Sequence, residues 1–271
     1  MAEPPSVVVI DIETTGLDVT DGAIIEVAAE RYSLIGQRFE CVEPAFQTLV
    51  KPRIPIEPAA VEIHGISEVQ AQAEGQEPAV ALRAMADFID DDYLLAHNGV
   101  FFDYLYIPNE CARHGVELAE NRLLDTLLLA RKHLKSSGGY GMASLCEAYG
   151  IVNEQAHRAL SDVRATGELF RRIVERESDL ERLWKQSYGY TLRSLRETPE
   201  GFELLQRAID DRRKLHIEYQ STSKPRRRRW IRPLRLDLTR AGKRSVRAVC
   251  LESNTEKQFR LDRISELIEL Q

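Results

Sequence analysis

The stretch VVVIDIETTGL, residues 7–17, places a pair of acids directly after a run of apolar residues. Four consecutive β-branched residues, Val7 to Ile10, predict a strand that is buried on both faces of a sheet. Asp11 and Glu13 follow at i and i+2, so both carboxylates leave the same face if the strand continues. Neighbouring carboxylates repel each other unless a cation lies between them, and the pair therefore predicts a divalent metal site. A strand that ends in a solvated acidic turn would give the same pair by chance, so that alternative stays open.

The charge of the chain is unevenly distributed. The 271 residues are enough for one large domain or two ordinary ones. Residues 1–170 carry 12 Lys or Arg against 27 Asp or Glu, whereas residues 204–271 carry 18 against 9. Residues 171–203 carry seven of each, which accounts for the net charge of -6. This division predicts an acidic part that handles metal and a basic part that handles a polyanion, although a basic surface is also consistent with simple solvation.

The sequence argues against several classes of protein. Its apolar runs are only a handful of residues long, and the N-terminal MAEPPS lacks the basic and then apolar pattern of a signal peptide. We therefore expect a cytoplasmic protein without a membrane partner. The cysteines form no CxxC pair, which argues against a zinc site and a disulfide framework. They are Cys41, Cys111, Cys146 and Cys250.

Strand-like and helix-like segments alternate as far as about residue 175. Short apolar or alternating runs predict strands at residues 23–34, 46–51 and 93–96. Apolar residues at helical spacing predict helices at residues 77–89 and 155–172. This alternation is typical of an α/β layer fold.

Two further acids and a histidine lie close to the ends of these elements. Asp103 closes the segment HNGVFFD after the strand at 93–96, and Asp162 lies five residues after His157 in a predicted helix. A two-metal phosphodiesterase needs such a set of acids, because Mg²⁺ and Mn²⁺ prefer oxygen ligands and act about 4 Å apart on the attacking and leaving oxygens. Water must also lose a proton, and His157 is the natural candidate for the general base.

Four motifs occur in order within residues 6–175, namely DIETTGL, HGI, AHN with FD, and HRALSDVRAT. In sequence and in order they resemble the motifs of the DnaQ-like, or DEDDh, 3′-5′ exonucleases. The resemblance implies a ribonuclease H-like α/β fold with a mixed sheet and flanking helices. It also implies two Mg²⁺ or Mn²⁺ ions and removal of nucleotides from a 3′ end. The implied catalytic residues are the base His157 and the metal ligands Asp11, Glu13, Asp103 and Asp162.

The resemblance also implies contacts with the terminal nucleotide, through backbone hydrogen bonds and through packing of a leucine on the base. His64 is a further candidate for substrate contact, although a helix-capping or packing role explains it equally well. Asn98 is another candidate, although ordering the loop near Asp103 is an alternative. The residues implied to hold the terminal nucleotide are Thr14, Thr15, Gly16 and Leu17.

One feature departs from the family pattern. The second motif of the family usually runs HNxxFD, whereas HNGVFFD has one more residue between Asn98 and Asp103. The loop must therefore bulge in order to aim Asp103. Asp125, in a DT pair that is common in the family, is expected to be structural rather than catalytic.

The basic C-terminal part contains the segments LQRAIDDRRKLHIEYQS, IRPLRL and KQFRLDRI. These segments resemble a WYL domain, a small Sm-like and mainly β module that often binds nucleic acid or another anion, although Arg244, Ser245 and Val246 replace its Trp-Tyr-Leu triplet. Arginines that grip phosphates and an indole that stacks on bases would suit single-stranded nucleic acid, but a solvated loop explains PRRRRW as well. The candidate nucleic-acid-binding residues are Arg228, Trp230, Arg232, Arg260 and Arg263.

We therefore expect an exonuclease domain at residues 1–175, a helical linker at 176–203 and a WYL-like basic domain at 204–271. The expected partner is single-stranded nucleic acid with a free 3′ end. DNA is favoured over RNA, and RNA stays open as an alternative because no residue that we can place reads a 2′-hydroxyl. A homodimer or a polymerase or repair partner would also fit. The alternative function is that of a regulatory nucleic-acid-binding protein with a vestigial exonuclease fold.

Overall fold

The structure is a computed structural model that describes residues 5–222 and 225–268. The chain divides into two compact units, Met1–Leu195 and Arg196–Gln271. The division falls inside the predicted linker, residues 176–203. Leu180 and Leu183 of that segment pack into the hydrophobic core of the first unit, so its first half is part of a domain and does not connect two domains.

A mixed sheet forms the centre of the first unit. Its strands are β1 (Ser6–Thr14), β2 (Ile24–Ile35), β3 (Arg38–Cys41), β4 (Phe46–Leu49), β5 (Tyr93–Ala96) and β6 (Leu123–Asp125). The order is β3-β2-β1-β5-β6, and β4 also pairs with β2. β1 is antiparallel to β2 but parallel to β5, which is parallel to β6. Val7, Val8 and Val9 are completely buried, as expected for a strand that is covered on both faces.

Helices flank this sheet, and local sequence signals set several of their ends. Proline occupies the first turn of the helices that begin at Pro58 and Pro78, and the Ser67 and Asp179 side chains accept hydrogen bonds at two other N-termini. The helices are α1 (Pro58–His64), α2 (Glu68–Glu74), α3 (Pro78–Ile89), α4 (Asp103–Arg113), α5 (Thr126–His133), α6 (Met142–Tyr149), α7 (Ala159–Val174), α8 (Leu180–Gln186) and α9 (Leu192–Arg196). The predicted α/β fold is confirmed. No helix in the described part of the chain combines the length and the apolar character needed to cross a membrane.

Helix α7 provides much of the core of the first unit. Its Val163, Leu169, Phe170 and Ile173 are completely buried against β1 and β2. These residues recur at helical spacing, which explains why the sequence pattern predicted the helix. The packing places the N-terminal end of α7 beside the central strands.

In its described residues, the second unit is a five-stranded antiparallel sheet with one helix packed on it. Its elements are α10 (Glu203–Asp210), β7 (Leu215–Tyr219), β8 (Arg227–Leu238), β9 (Arg244–Cys250), β10 (Thr255–Arg260) and β11 (Ile264–Ile268). The strand order is β10-β9-β8-β7-β11. Leu205 and Ala208 of the helix pack with Ile217, Ile231 and other core residues on one face of the sheet. The predicted mainly β C-terminal domain is confirmed.

Candidate active site

The two acids of the opening stretch lie on β1, the central strand of the first sheet. Asp11 pairs with Ala28 of β2, and Glu13 pairs with Glu26. The strand therefore continues through both acids, and their side chains leave the same face. The regular pairing then shifts between Glu13 and Thr14, where the strand ends.

Helix α7 contributes a third carboxylate. Asp162 lies in the first turn of α7, and its oxygens accept hydrogen bonds from Asn153 Nδ2 at 2.6 Å and from the backbone N–H of His157 at 2.9 Å. Carboxylate oxygens of Asp11, Glu13 and Asp162 all lie within 4.8 Å of one another. We call these three residues the carboxylate cluster. The fold thus brings together acids that are some 150 residues apart in the sequence.

Asp103 is not a member of the carboxylate cluster but lies near it. It is the first residue of α4, its side chain is buried, and its Oδ1 has no hydrogen-bond partner among the described residues. Burial is the main factor that raises the pKa of Asp11 well above its ordinary value, and Asp103 is the neighbouring charge that contributes most. A buried carboxylate oxygen without a donor is normally explained by an ion or a water molecule.

Burial and mutual repulsion raise the pKa values of these acids. Burial raises the pKa of Glu13 to about 9, and the charges of Asp162, Glu26 and Asp103 add to the shift. Burial also raises the pKa of Asp103 to about 7, with Asp125 as the neighbouring charge that contributes most. The pKa of Asp162 is raised by burial as well. A cation would relieve this repulsion and keep the acids ionised at neutral pH.

The residues present suit a hard divalent cation. The carboxylate cluster and Asp103 offer oxygen ligands only, as Mg²⁺ and Mn²⁺ prefer. The unpartnered Oδ1 of Asp103 is a further observation that points to a ligand. The structure thus supports the prediction of a divalent-metal site, whereas the number and identity of the ions stay predictions.

The helix predicted at residues 155–172 begins at Ala159, so His157 lies just before α7 and not within it. Its backbone has a left-handed conformation with φ 64°, its side chain is exposed, and Arg158 follows as the N-cap residue of the helix. The hydrogen bond from its backbone N–H to Asp162 ties this residue to the carboxylate cluster. His157 is therefore beside the acids, and its assignment as the base is a proposal.

An ion pair between the buried Glu26 and the partly exposed Arg158, which sequence reasoning missed, fixes the start of α7. Arg158 donates from Nη2 to Glu26 Oε1 at 2.8 Å and from Nε to Oε2 at 3.1 Å. The backbone N–H of Ala159 and the side chain of Gln47 donate to the same carboxylate at 3.1 and 3.0 Å. Burial raises the pKa of Glu26, but these hydrogen bonds outweigh it and hold the pKa below its ordinary value. The sequence feature that could have indicated this ion pair is Glu26 itself, an acid inside the apolar run IIEVAA.

The predicted nucleotide-contacting residues lie just beyond the carboxylates. The Thr14 hydroxyl donates to the carbonyl of Gly16 at 2.7 Å, and the Thr15 hydroxyl accepts from the N–H of Ala23 at 2.9 Å. Both threonine side chains are buried and shape the loop, whereas Leu17 is 80% exposed. A Cβ at Gly16 would lie 2.3 Å from the Glu57 carboxylate, so a side chain there would displace that group.

His64 and Asn98 both have structural roles. The buried His64 ring accepts a hydrogen bond at Nδ1 from the N–H of Ile66 at 3.0 Å, and burial lowers the pKa of the ring. Asn98 has a left-handed backbone with φ 65°, and its N–H donates to Asp125 Oδ1 at 3.2 Å. The packing and loop-ordering alternatives therefore have direct support, and contact of either residue with substrate stays a prediction. Asp125 holds the loop before Asp103, as expected of a structural residue.

In the C-terminal unit, two of the predicted residues share one face of the sheet. Trp230 and Arg232 alternate on β8 with Ile231, which packs in the core, so their side chains leave the opposite face. The ring of Trp230 lies 4.9 Å from that of His216 on the neighbouring strand. The pairing of β8 with β9 shifts between Pro233 and Arg235, and this shift places Arg235 on the same face as Arg232. The Nε atom of Arg235 is buried and has no hydrogen-bond partner among the described residues. We call Trp230, Arg232 and Arg235 the outer β8 surface.

Other predicted arginines of this unit are engaged by neighbouring groups. Arg228 lies 3.6 Å from Glu266. Arg260 forms a salt bridge with Asp262 at 2.5 Å. Arg263 donates to the Thr222 hydroxyl at 2.6 Å. These partners leave the arginines less available to a phosphate than the sequence alone suggested.

Comparisons with known proteins agree with this architecture. Residues 8–170 match the family model described as Exonuclease, and residues 200–269 match the WYL domain. The DNA polymerase III PolC-type of Pediococcus pentosaceus is 30% identical over 165 residues, which are 60% of this chain and 11% of that protein. The Exonuclease DPD1, chloroplastic/mitochondrial, of Arabidopsis thaliana is 33% identical over 185 residues, 62% of this chain and 56% of that protein. The chain thus spans about a ninth of the length of the PolC-type relative and about half that of the plant relative.

Solved structures show the same fold. E. coli Exonuclease I in complex with a dA16 oligonucleotide has a TM-score of 0.58 and 20% sequence identity, over 91% of this chain and 55% of that chain. With its mixed sheet and carboxylate cluster, the first unit has the features of a nuclease that uses divalent cations. The chain belongs to the exonuclease family, of the DnaQ-like kind, and carries a C-terminal WYL domain.

Proposed function

We propose that this protein is a metal-dependent 3′-5′ exonuclease that removes nucleotides from single-stranded DNA. The observation that carries the proposal is the carboxylate cluster, in which oxygens of Asp11, Glu13 and Asp162 lie within 4.8 Å of one another. The exposed His157 next to it supports hydrolysis, because it offers a base. The single-stranded substrate is suggested by the oligonucleotide complex of the structural neighbour.

In this proposal the acids and the histidine divide the work. Asp11, Glu13, Asp103 and Asp162 would hold two Mg²⁺ or Mn²⁺ ions. Bound divalent cations would stabilise the charge that develops on the phosphate and favour deprotonation of water. His157 would accept the proton of the attacking water, whose oxygen forms a new bond to phosphorus. The bond from phosphorus to the 3′ oxygen breaks, and that oxygen takes up a proton.

The residues after the acids would hold the terminal nucleotide. The backbone of Thr14, Thr15 and Gly16 would form hydrogen bonds to it, and the exposed Leu17 would pack on its base. Apolar contact with a base face tolerates any base, so this arrangement predicts little sequence preference. The products would be a mononucleotide and a strand shortened at its 3′ end.

A digestion assay tests the activity and its direction. A single-stranded DNA oligomer labelled at its 5′ end, incubated with Mg²⁺, should give a ladder of labelled products that shorten with time. The same oligomer labelled at its 3′ end should release labelled mononucleotide at once. Asp11→Asn should abolish both results, and Glu168→Gln, on the exposed surface of α7, is the matched control. The same assay with an RNA oligomer of matched sequence compares the rates of digestion of ribose and deoxyribose substrates.

The outcome also decides between the proposed enzyme and the regulatory alternative. Binding of the oligomer without any shortening would support a binding protein with a vestigial exonuclease fold. Cleavage that starts at the 5′ end, or that persists undiminished in Asp11→Asn, would refute the proposed mechanism.

We further propose that the WYL domain binds the single strand through the outer β8 surface. Trp230 offers a ring for stacking, and Arg232 is exposed on the same face. Arg235, which the sequence did not single out, adds a guanidinium on this face with an unpartnered Nε.

Equilibrium binding at several salt concentrations tests this role. In the full chain, Trp230→Ala should weaken the affinity for a single strand about fivefold or more, because stacking on one base contributes about 1–3 kcal/mol. Arg232→Ala should lower the slope of log K against log salt by about one. Arg38→Ala is the matched control, since this arginine is 80% exposed on the first unit. Unchanged affinity and slope in both variants would refute the role.

A further inference from the structure

The loop that carries Leu17 is held by side chains at nearly every carbonyl. We call residues 16–22, between β1 and β2, the active-site lip. Gly22 N–H donates to the carbonyl of Asp18 at 2.7 Å, and the N–H of Thr20 donates to Asp18 Oδ1 at 2.9 Å, so the lip is a compact turn. Leu17 projects from it with 80% of its surface exposed. A single exposed leucine is common on protein surfaces and indicates nothing by itself. The informative observation is that many hydrogen bonds hold the loop that carries it.

Helix α4 holds the lip through three residues on one helical face. The Tyr106 hydroxyl donates to the lip and lies 2.7 Å from the carbonyl oxygen of Gly16 and 2.8 Å from that of Asp18. Asn109 Nδ2 donates to the carbonyl of Val19 at 3.1 Å. Arg113 donates to the next carbonyl, that of Thr20, at 2.7 Å. The spacing of three and four residues places all three donors on the same side of α4.

A second anchor holds the far end of the lip. Arg53 donates to the carbonyls of Asp21 and Gly22 at 2.6 and 2.7 Å. The buried Glu110 carboxylate forms ion pairs with both Arg53 and Arg113, so one acid on α4 fixes both guanidinium groups.

The helix that holds the lip also begins at Asp103. Asp103 precedes Tyr106 by three residues and therefore lies on the same helical face. Gly22 packs directly on this helix, since a Cβ there would lie 2.1 Å from the Tyr106 hydroxyl oxygen. The same helix thus connects a carboxylate near the carboxylate cluster with the loop that carries Leu17.

We propose that Tyr106 and Asn109 are positioning residues, through which α4 fixes Leu17 against the terminal nucleotide at a set distance from Asp103. This inference rests on the proposed exonuclease function. Neither residue takes part in the chemistry. Loosening the lip should therefore weaken the seating of the 3′ terminal nucleotide while the affinity for divalent cations stays unchanged.

The test combines point variants with a double-mutant cycle. Tyr106→Phe keeps the ring and removes the hydroxyl, and Asn109→Ala removes the amide. Tyr149→Phe is the matched control, because its hydroxyl likewise holds backbone, that of Lys135, in another loop. Each of the two lip variants should raise KM for a single-stranded DNA oligomer about three- to tenfold, with kcat changed less than about twofold. The control should change neither constant.

Coupling to Leu17 separates positioning from general destabilisation. Leu17→Ala should raise KM, and adding Tyr106→Phe or Asn109→Ala to it should raise KM little further, because the lip then has no side chain to position. The Kd for Mn²⁺, measured by electron paramagnetic resonance on the same proteins, should stay within about twofold of wild type. The inference would be overturned if the KM increases of the single variants multiplied in the double variants. It would also be overturned if the affinity for Mn²⁺ fell by the same factor as KM rose.

A binding measurement distinguishes failure of this inference from failure of the proposed function. Fluorescence anisotropy of a labelled oligomer, without divalent cations, gives its Kd for the same set of variants. If the wild type binds but does not shorten the oligomer, and the Kd values show the same non-additivity, the exonuclease proposal fails while the positioning role stands. Additive changes in Kd would overturn the positioning role whatever the activity.

Discussion

Replacing Glu13 by glutamine should stabilise the fold when divalent cations are absent. Burial raises the pKa of this residue to about 9, and the charges of Asp162, Glu26 and Asp103 add to the shift. The unfolded chain has an ordinary glutamate, so between pH 4.5 and 9 the folded protein holds a proton that the unfolded chain has released. The contribution of this group to stability is therefore complete below pH 4.5 and is lost as the pH rises through about 9.

The size of the effect follows from this shift. Because pH 7 lies about 2.5 pH units above the ordinary pKa of glutamate, the wild type at pH 7 has lost at most about 3.4 kcal/mol of the stability that it has at pH 4.5. Glu13 is partly exposed, and water near its oxygens screens part of the repulsion. We therefore expect Glu13→Gln to raise the free energy of unfolding by about 1–3 kcal/mol at neutral pH.

Urea unfolding at pH 7 in the presence of a chelator measures this difference. Glu168→Gln, on the solvent side of α7, should change stability by less than about 0.5 kcal/mol. Adding Mn²⁺ should stabilise the wild type and have little effect on Glu13→Gln, and at pH 5 the two apo proteins should differ less. A Glu13→Gln variant that is less stable than the wild type under chelating conditions would refute the reasoning.

Three further substitutions test the elements that support the site, each by urea unfolding. Arg158→Gln leaves the buried Glu26 without its counter-charge and should cost about 3–5 kcal/mol. Asp125→Asn should cost about 1–3 kcal/mol and slow turnover in the digestion assay, because an amide nitrogen cannot accept the N–H of Val100 that Asp125 Oδ2 now accepts. The wild type should lose stability as the pH falls from about 6.5 to 4, because burial lowers the pKa of His97 to about 4 and the unfolded chain therefore binds the proton first. His97→Gln should remove this loss.

The sequence predicted the elements whose signals are local. Four β-branched residues identified β1, and apolar residues at helical spacing identified α3 and α7. The helix predicted at residues 155–172 runs over Ala159–Val174, so its start was predicted four residues too early. These signals lie within about 16 residues of the element that they specify, and no knowledge of the tertiary fold is needed to interpret them.

The contacts that shape the site could not be predicted from local sequence patterns, because they join residues that are far apart in the chain. Glu26 and Arg158 lie 132 residues apart, and Tyr106 lies 90 residues from Gly16, to whose carbonyl it donates. Nothing in the local pattern of Glu26 indicates its partner, because a charged residue in an apolar run predicts only that some compensation exists. The arginines of the WYL domain show the same difficulty, since their acidic partners become visible only when the strands pair.

The extra residue of HNGVFFD departs from the family pattern, and a loop that misplaced Asp103 would favour the alternative of a vestigial exonuclease. In the structure, Gly99–Phe101 form a single 3₁₀ turn, and the N–H groups of Asn98 and Val100 donate to the buried Asp125 at 3.2 and 3.1 Å. The turn takes up the added length, and α4 still begins at Asp103. The Asp103 carboxylate still raises the pKa of Asp11, after burial itself. The insertion therefore changes the path of the loop, while Asp103 still places a buried carboxylate oxygen without a donor near the carboxylate cluster.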